Sequence, residues 1–391
     1  MTALAIFHTA IGTTLAGLAL HTLVNHLTLP RLRRMPAAAR LPRVSVLIPA
    51  RNEAGRIGAS VRGWAAQEYP DYEVLVYDDA STDATARQAR AAAGSASHVR
   101  VIRGGPLPAG WRGKPWACHR LRAHARGEIL VFADADVVPV PETLTRAAGA
   151  LTTLAADAVS AVPSHTSPSL AVRALVAIQN WAALTFVPSW LAPTRRRRMF
   201  AAMTGQFVAI RAEVYDASGG FGADRLALAE DVALGRRLTA LGYRVRLLDG
   251  AGMLRCQAYA SVREAWQAAG RNLLPVFFDS PVLLLLALTT LAVIYLGPVI
   301  VLALGLALGQ GPTSLWTWAP LAEIALGLAT RLVADRRAGY ALWLAFLQPV
   351  AVGALLAMGV DSVTRFRVRR VVEWRDRRYD VAERAASAVG R

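Results

Sequence analysis

The stretch Ile129-Leu130-Val131-Phe132-Ala133-Asp134-Ala135-Asp136 decides how this chain is read. Its apolar run predicts a buried strand, and two carboxylates follow where that strand ends. Aspartates spaced i, i+2 point the same way on an extended backbone. Such a pair suits a hard divalent cation, Mg²⁺ or Mn²⁺, because Mg²⁺ takes one or two carboxylates together with substrate phosphates. Strand C-termini in open α/β sheets are also where ligands bind. Taken alone, the pair has a plainer alternative, two solvated aspartates in a loop.

Upstream, the same alternation repeats. Residues 44–48, 73–77 and 99–102 read as strands, with helices expected at 52–67, 82–93 and 116–125. Ser81 or Thr82 is the expected cap of the second helix. This βαβα order predicts an α/β domain with a mostly parallel sheet. No G-x-G-x-x-G or Walker A loop follows any strand, so dinucleotide-binding and P-loop readings fall away.

The chain has 391 residues, 54% of them hydrophobic, and its mean hydropathy is positive. That is too apolar for a wholly soluble protein, and long enough for one domain of about 220 residues plus membrane segments. The net charge of +17 comes almost wholly from arginine. Nucleic acid could attract so basic a chain, but no aromatic-basic module is evident. The arginines instead sit beside apolar segments: Arg31, Arg33 and Arg34, then Arg195 to Arg198, then Arg365 to Arg378. Basic residues next to a bilayer attract anionic lipid at roughly 1 kcal/mol each. The expected partner is therefore the lipid bilayer, with no nucleic acid. Cys118 and Cys256 are far apart, lack metal-ligand spacing and are expected as free thiols in a reducing compartment.

Residues 1–30 are expected to be an N-terminal membrane anchor, uncharged from 2 to 29 and followed by arginines, with the next segment cytoplasmic. Residues 43–260 are expected to form the α/β domain, which includes an interfacial helix at about 172–195, uncharged from 174 to 194. An interfacial segment at 261–280 precedes transmembrane helices within 281–360, read as apolar segments at 282–308, 314–333 and 339–360. Glu323 makes the middle segment the weakest, or else is buried in a bundle. A basic cytoplasmic tail, 361–391, follows. The expected location is the cell membrane, multi-pass, with the α/β domain on the cytoplasmic face.

Lys114 is the only lysine in the chain. In an arginine-biased sequence, one ammonium is either chance or a site that needs a compact point charge, for example facing phosphate. Two more acidic groups complete the pattern. Asp78-Asp79 closes the second strand, and Glu230-Asp231 opens a helix running to about 241. Either alone reads equally well as a capping turn or as a complement to a helix dipole.

Together these motifs resemble glycosyltransferase family 2, with its GT-A fold. The matching residues are V-S-V-L-I-P-A-R-N-E at 44–53, V-Y-D-D-A-S-T-D at 76–83 and G-K-P-W-A at 113–117. They continue with F-A-D-A-D at 132–136, T-G-Q-F at 204–207, G-G-F at 219–221 and E-D-V-A-L at 230–234. The resemblance implies that Pro49, Ala50, Glu53 and Asp79 hold the nucleotide base and ribose, with Lys114 beside the nucleotide. It implies that Asp134 contacts ribose or metal-bound water and that Asp136 ligates a divalent metal on the diphosphate. Asp231 would be the general base, with Glu230 beside it. Gly205, Glu230, Arg271, Trp374 and Arg377 are candidates for the acceptor and phosphate side. One base without a second nucleophilic carboxylate implies a single inverting displacement.

Departures from the family bear on the acceptor. Polymer-extruding synthases carry Q-x-x-R-W, whereas Gln267 and Arg271 here are separated by three residues and no tryptophan follows. The tail Trp374-Arg375-Asp376-Arg377-Arg378-Tyr379 resembles the W-R-G-R-x-Y ending of relatives acting on lipids, with Asp376 in the place of glycine. The expected activity is transfer of a single sugar, glucose from UDP-glucose as the first choice, to an apolar lipid acceptor such as a carotenoid. The alternatives are a processive polysaccharide synthase, a polyprenyl-phosphate sugar transferase, or a nucleotide-binding membrane scaffold without transferase activity. Release of long polymer would mark the first of these, and absence of donor turnover the last.

Overall fold

The computed structural model describes residues 2–380, apart from 39, 168, 192–202, 228, 258, 370 and 375. The quartet Arg195 to Arg198 lies outside the described residues. In chain order the structure begins with α1 (Ala3–Thr28), β1 (Val44–Ala50), α2 (Ile57–Ala65), β2 (Tyr72–Asp78), α3 (Thr85–Ala93) and β3 (Val99–Arg103). It continues with α4 (Gly113–His124), β4 (Ile129–Ala133), β5 (Val137–Pro139), α5 (Thr143–Thr153), β6 (Ala158–Val162) and β7 (Ser164–His165). Next come α6 (Leu170–Phe186), β8 (Phe207–Arg211), α7 (Ala212–Ala217), α8 (Gly220–Ala223), α9 (Glu230–Ala240), β9 (Val245–Asp249) and β10 (Leu254–Cys256). Last are α10 (Val262–Val276), α11 (Pro281–Ala307), α12 (Leu315–Ala338), α13 (Gln348–Thr364), β11 (Val371–Trp374) and β12 (Arg377–Asp380).

These elements form two compact units. The α/β unit comprises 29–166, 191–258 and the segment from 371 onward. Its seven-stranded sheet has the order β3-β2-β1-β4-β8-β6-β9. All neighbours are parallel except β8, which runs antiparallel to both β4 and β6. The expected α/β class with a mostly parallel sheet is therefore what the chain builds. Both faces of the sheet are covered, so its strands read as continuous apolar runs rather than alternating ones. On one face Val46, Ile48, Val74, Val76 and Val131 pack with Trp64 of α2. On the other Leu47, Leu75, Leu130 and Phe132 pack with Leu121 of α4 and Leu234 of α9. Burying each such side chain contributes about 1.5–3 kcal/mol.

Two expected helices start later than their sequence suggests. Asn52 (φ 50°) and Gly55 (φ 91°) are left-handed, which a right-handed helix cannot carry, so α2 begins at Ile57. Ala80 is left-handed as well (φ 52°), and α3 begins at Thr85. There Asp83, not Ser81 or Thr82, accepts the Thr85 amide at 2.9 Å. The two strand ends thus lead into tight polar turns, which is where the candidate site lies.

The helical unit comprises 1–28, 167–190 and 259–370. Within it α1 and α11 pack along α12, and α13 packs against α10 and α11. Among the described residues, three segments are long and apolar enough to cross a membrane: 3–28, 281–307 and 342–367. At 1.5 Å per residue the 27-residue α11 is about 40 Å long, beyond the roughly 30 Å of a hydrocarbon core. The middle segment, α12, is not among the three. Its Glu323 is buried and bonded to His8 Nδ1 of α1 at 3.0 Å, and Arg331 is buried against Asp335 at 2.9 Å. Glu323 is therefore a bundle-interior residue.

Candidate active site

The site grows from the C-terminal ends of β1, β2 and β4. Hydrogen bonding joins the first two ends: the Asp79 amide donates to the Ala50 carbonyl at 2.8 Å, directly after Pro49. Arg51 then clamps the turn by donating to the carbonyls of Asp79 (2.7 Å) and Ala80 (2.8 Å). The Glu53 amide donates to Thr85 Oγ1 at 2.7 Å, and the Glu53 carboxylate lies 3.7 Å from Arg56. Asp79 is 1% exposed and its carboxylate is paired with Arg377. Burial pushes this carboxyl above its ordinary range, and Arg377 and Arg51 draw it partly back.

Lys114, in the first turn of α4, lies at the centre of the acidic groups. Its Nζ is 2.7 Å from Asp134 Oδ1 and 2.8 Å from Glu230 Oε1. One ammonium thus ties the end of β4 to the start of α9. Burial works against its charge, but Asp134, Glu230 and Asp231 together raise its pKa well above the ordinary lysine value. The lone lysine thus lies within the acidic cluster, where a compact cation reaches two carboxylates from one point.

Asp231 stands next to Glu230 in the first turn of α9. Its Oδ2 accepts the Gly205 amide at 2.6 Å, and its Oδ1 accepts the Val232 amide at 2.8 Å. Gly205 leaves room for this approach: a Cβ there would meet Lys114 Nζ at 2.9 Å and Asp231 Oδ2 at 3.2 Å, so one of these side chains would have to shift. Burial first, and the neighbouring Glu230 second, push the Asp231 carboxyl up to about 6, with Lys114 opposing.

Asp134 and Asp136 do not lie on extended backbone, as their spacing suggested. Strand β4 ends at Ala133, and the Val137 amide donates to the Asp134 carbonyl at 3.1 Å, closing a tight turn into β5. The buried Ala135 separates the two carboxylates, which meet different partners. Asp134 faces Lys114, whereas Asp136 bonds the Cys256 thiol. Burial, Asp134 and Glu53 push Asp136 up to about 7, against the opposing pull of Arg56. Among the described residues no group of three or more His, Cys, Asp or Glu side chains is arranged as a self-sufficient metal cage. The carboxyl of Asp136, crowded by Asp134 and Glu53, is of the kind a dication would relieve, and Mg²⁺ takes one or two carboxylates with substrate phosphates.

Beside Asp136 lies a group that the sequence did not single out. The Gln206 amide donates to Cys256 Sγ at 3.2 Å and meets His165 Nε2 at 2.9 Å. Burial pushes His165 down to about 4 and so keeps it neutral. Gln206 stands inside the T-G-Q-F motif, but nothing near His165 marks it in sequence. Both cysteines are buried free thiols.

The hairpin β11–β12 belongs to the same unit. Besides the Arg377–Asp79 pair, Tyr379 Oη accepts the Gly113 amide at 3.1 Å, and the Arg112 guanidinium lies 4.3 Å from the Tyr379 ring centre. Asp376 is left-handed (φ 64°), a conformation that Asp tolerates better than most residues, so it keeps the backbone shape a glycine would supply. Trp374 lies on β11, with its side chain outside the described residues. Arg271 is placed on α10 of the helical unit.

Comparison with known proteins agrees with this geometry. The family described as glycosyltransferase-like family 2 matches residues 42–271. A probable glycosyltransferase, YdaM of Bacillus subtilis (strain 168), is 30% identical over 216 residues, covering 54% of this chain and 50% of its own. The 4,4'-diaponeurosporenoate glycosyltransferase of Staphylococcus aureus (strain USA300) is 39% identical over 94 residues, 24% of each chain. The alignments thus span half or less of these relatives. Among solved structures, the mannosyltransferase PcManGT from Pyrobaculum calidifontis, in complex with GDP-Man and Mn²⁺, is similar in fold. Its TM-score is 0.55 at 20% identity, over 94% of this chain and 99% of that one. With the family match covering more than half of its length, this chain belongs to glycosyltransferase family 2 and has a GT-A-like fold.

Proposed function

We propose that the chain is a membrane-bound, inverting glycosyltransferase that moves a single sugar from a nucleotide-sugar donor to a lipid acceptor at the cytoplasmic face. The observation that carries this reading is Asp231, pinned by the Gly205 amide beside the Lys114–Glu230–Asp134 network. Asp231 accepts the proton of the acceptor hydroxyl as that oxygen attacks the sugar. A carboxyl held at about 6 does this better than an ordinary aspartate, because a base works best with a pKa near the working pH. Lys114 fixes Glu230 and Asp134 and keeps a positive charge close to the donor side. Asp79, Glu53 and the chain at Pro49-Ala50 hold the nucleoside. Asp136, with Asp134, would hold a divalent cation, which when bound neutralises charge on the leaving diphosphate. An α-linked donor then gives a β-glycoside.

Support for the donor and metal classes comes from the GDP-Man and Mn²⁺ of the Pyrobaculum neighbour. Support for a carotenoid-type acceptor comes from the name of the staphylococcal relative and from the three apolar helices. UDP-glucose is the proposed donor. Mass spectrometry of lipids from cells with and without the gene is expected to show a lipid losing a partner heavier by one hexose. Loss of a surface polymer with unchanged lipids would overturn the acceptor assignment. Asp136→Ala is expected to weaken Mn²⁺-dependent UDP binding at least tenfold in calorimetry, and unchanged metal dependence would remove its role.

A further inference from the structure

The hairpin β11–β12 touches the donor side of the site at three places. Arg377 lays its guanidinium on the Asp79 carboxylate, with Nη2 at 3.3 Å from Oδ1, and also reaches the Asp79 carbonyl at 3.4 Å. Asp376 Oδ2 accepts a bond from Asn52 Nδ2 at 2.7 Å. Tyr379 accepts the Gly113 amide, one residue before Lys114. The hairpin therefore spans from the β1 and β2 ends to the start of α4, the elements that supply Asp79 and Lys114.

Asp79 has only acceptor oxygens, and it is almost wholly buried. Guanidinium N–H groups occupy that acceptor face. Ribose hydroxyls and base N–H groups are donors of the same kind, and they need the same oxygens. The carboxylate has acceptor capacity to spare, but Asp79 is 1% exposed with the guanidinium seated on it, so a nucleoside reaching for these oxygens has to enter the space that Arg377 fills.

We propose that the C-terminal hairpin is a strap competing with the donor's nucleoside for Asp79, with Arg377 filling the carboxylate until the donor displaces it. This inference rests on the assignment of Asp79 to the nucleoside. The strap keeps a buried carboxylate compensated in the empty enzyme, since leaving such a group unpaired is costly. It also makes donor binding report to the chain end, because Arg377 cannot leave without loosening the adjoining Asp376 and Tyr379 contacts.

The test uses the full chain in detergent with uridine and guanosine as phosphate-free probes, so that loss of an arginine charge does not act through the diphosphate. Arg377→Ala is expected to bind the matching nucleoside about tenfold more tightly, equivalent to roughly 1.4 kcal/mol. Tyr379→Ala loosens the strap while leaving Asp79 and Arg377 in place, and is expected to shift affinity in the same direction. In the wild type, saturating nucleoside is expected to speed amide hydrogen exchange across 371–380. Unchanged or weaker nucleoside binding by Tyr379→Ala, or unchanged exchange in the hairpin, overturns the strap while leaving the transferase reading intact. If neither nucleoside, nor UDP or GDP, binds wild type or variants, the nucleoside assignment of Asp79 fails and the strap fails with it.

Discussion

The carboxyl of Asp231, proposed here as the base, is tuned by few neighbours. Burial and Glu230 raise it, while Lys114 and two backbone amides limit the rise to about 6. Asp231→Asn is expected to lower turnover at least 1,000-fold while leaving UDP binding within about threefold; undiminished turnover would rule out the base role. The same shift has a stability consequence with a definite sign. A folded-state pKa raised from 3.8 to about 6 favours the protonated form, so its stabilising contribution is present below the unfolded value and is lost as pH rises through 6. Asp231→Asn removes that loss. Its melting temperature is expected to exceed wild type by about 2–4 °C at pH 7.5, for roughly 1 kcal/mol, with the gap closing near pH 4. A gap that grows on acidification would contradict the assignment.

Individual elements carry a second set of constraints. Helix α9 starts where Glu230 and Asp231 can meet the Lys114 ammonium and the Gly205 amide, so its first turn serves the site while Leu234 and Leu238 serve the core. Strand β8 brings Gly205 and Gln206 to the end of β4, and its antiparallel direction is what lets residues just before it reach the C-terminal edge. In the helical unit, α1 and α12 share the His8–Glu323 pair, which is nearly free of solvent. His8→Ala strands a buried carboxyl, and it is expected to destabilise the detergent-solubilised chain by about 1–2 kcal/mol, the range for polar pairs in helix bundles. The double variant His8→Leu/Glu323→Leu is expected to regain most of that loss in thermal unfolding. If it melts below His8→Ala, the pair is not the link between these helices.

Over the whole molecule, exposed apolar surface is concentrated on long helices. Val282, Leu286, Ile300, Leu306 and Val350 are each more than half exposed, well beyond the scattered apolar residues of a soluble surface. Three segments of spanning length together with a net charge of +17 lead to a direct expectation. Membranes washed with alkaline carbonate should retain the chain in the pellet. Release of most of it into the supernatant would replace spanning helices with peripheral attachment.

The strands, their order along the chain and the acidic motifs were legible in sequence because they depend on local pattern: apolar runs at 44–48, 73–77 and 129–132, each followed by polar residues. The long apolar helices were legible for the same reason. Helix starts were misplaced where Asn52 and Ala80 adopt left-handed backbone, a state Asn tolerates and Ala rarely adopts, held in place by the turn's own hydrogen bonds. The turn between Asp134 and Asp136 was misread as extended because β5 pairs with β10, more than 100 residues away in sequence. Lys114 was singled out by composition, yet its role between Asp134 and Glu230 appeared only once α4, β4 and α9 converged. His165 beside Gln206, and Arg377 seated on Asp79, depend on contacts between residues 41 and 298 positions apart. Local patterning encodes elements because backbone periodicity acts over a few residues, whereas a site is made by ends of elements meeting, which only packing of the whole chain decides.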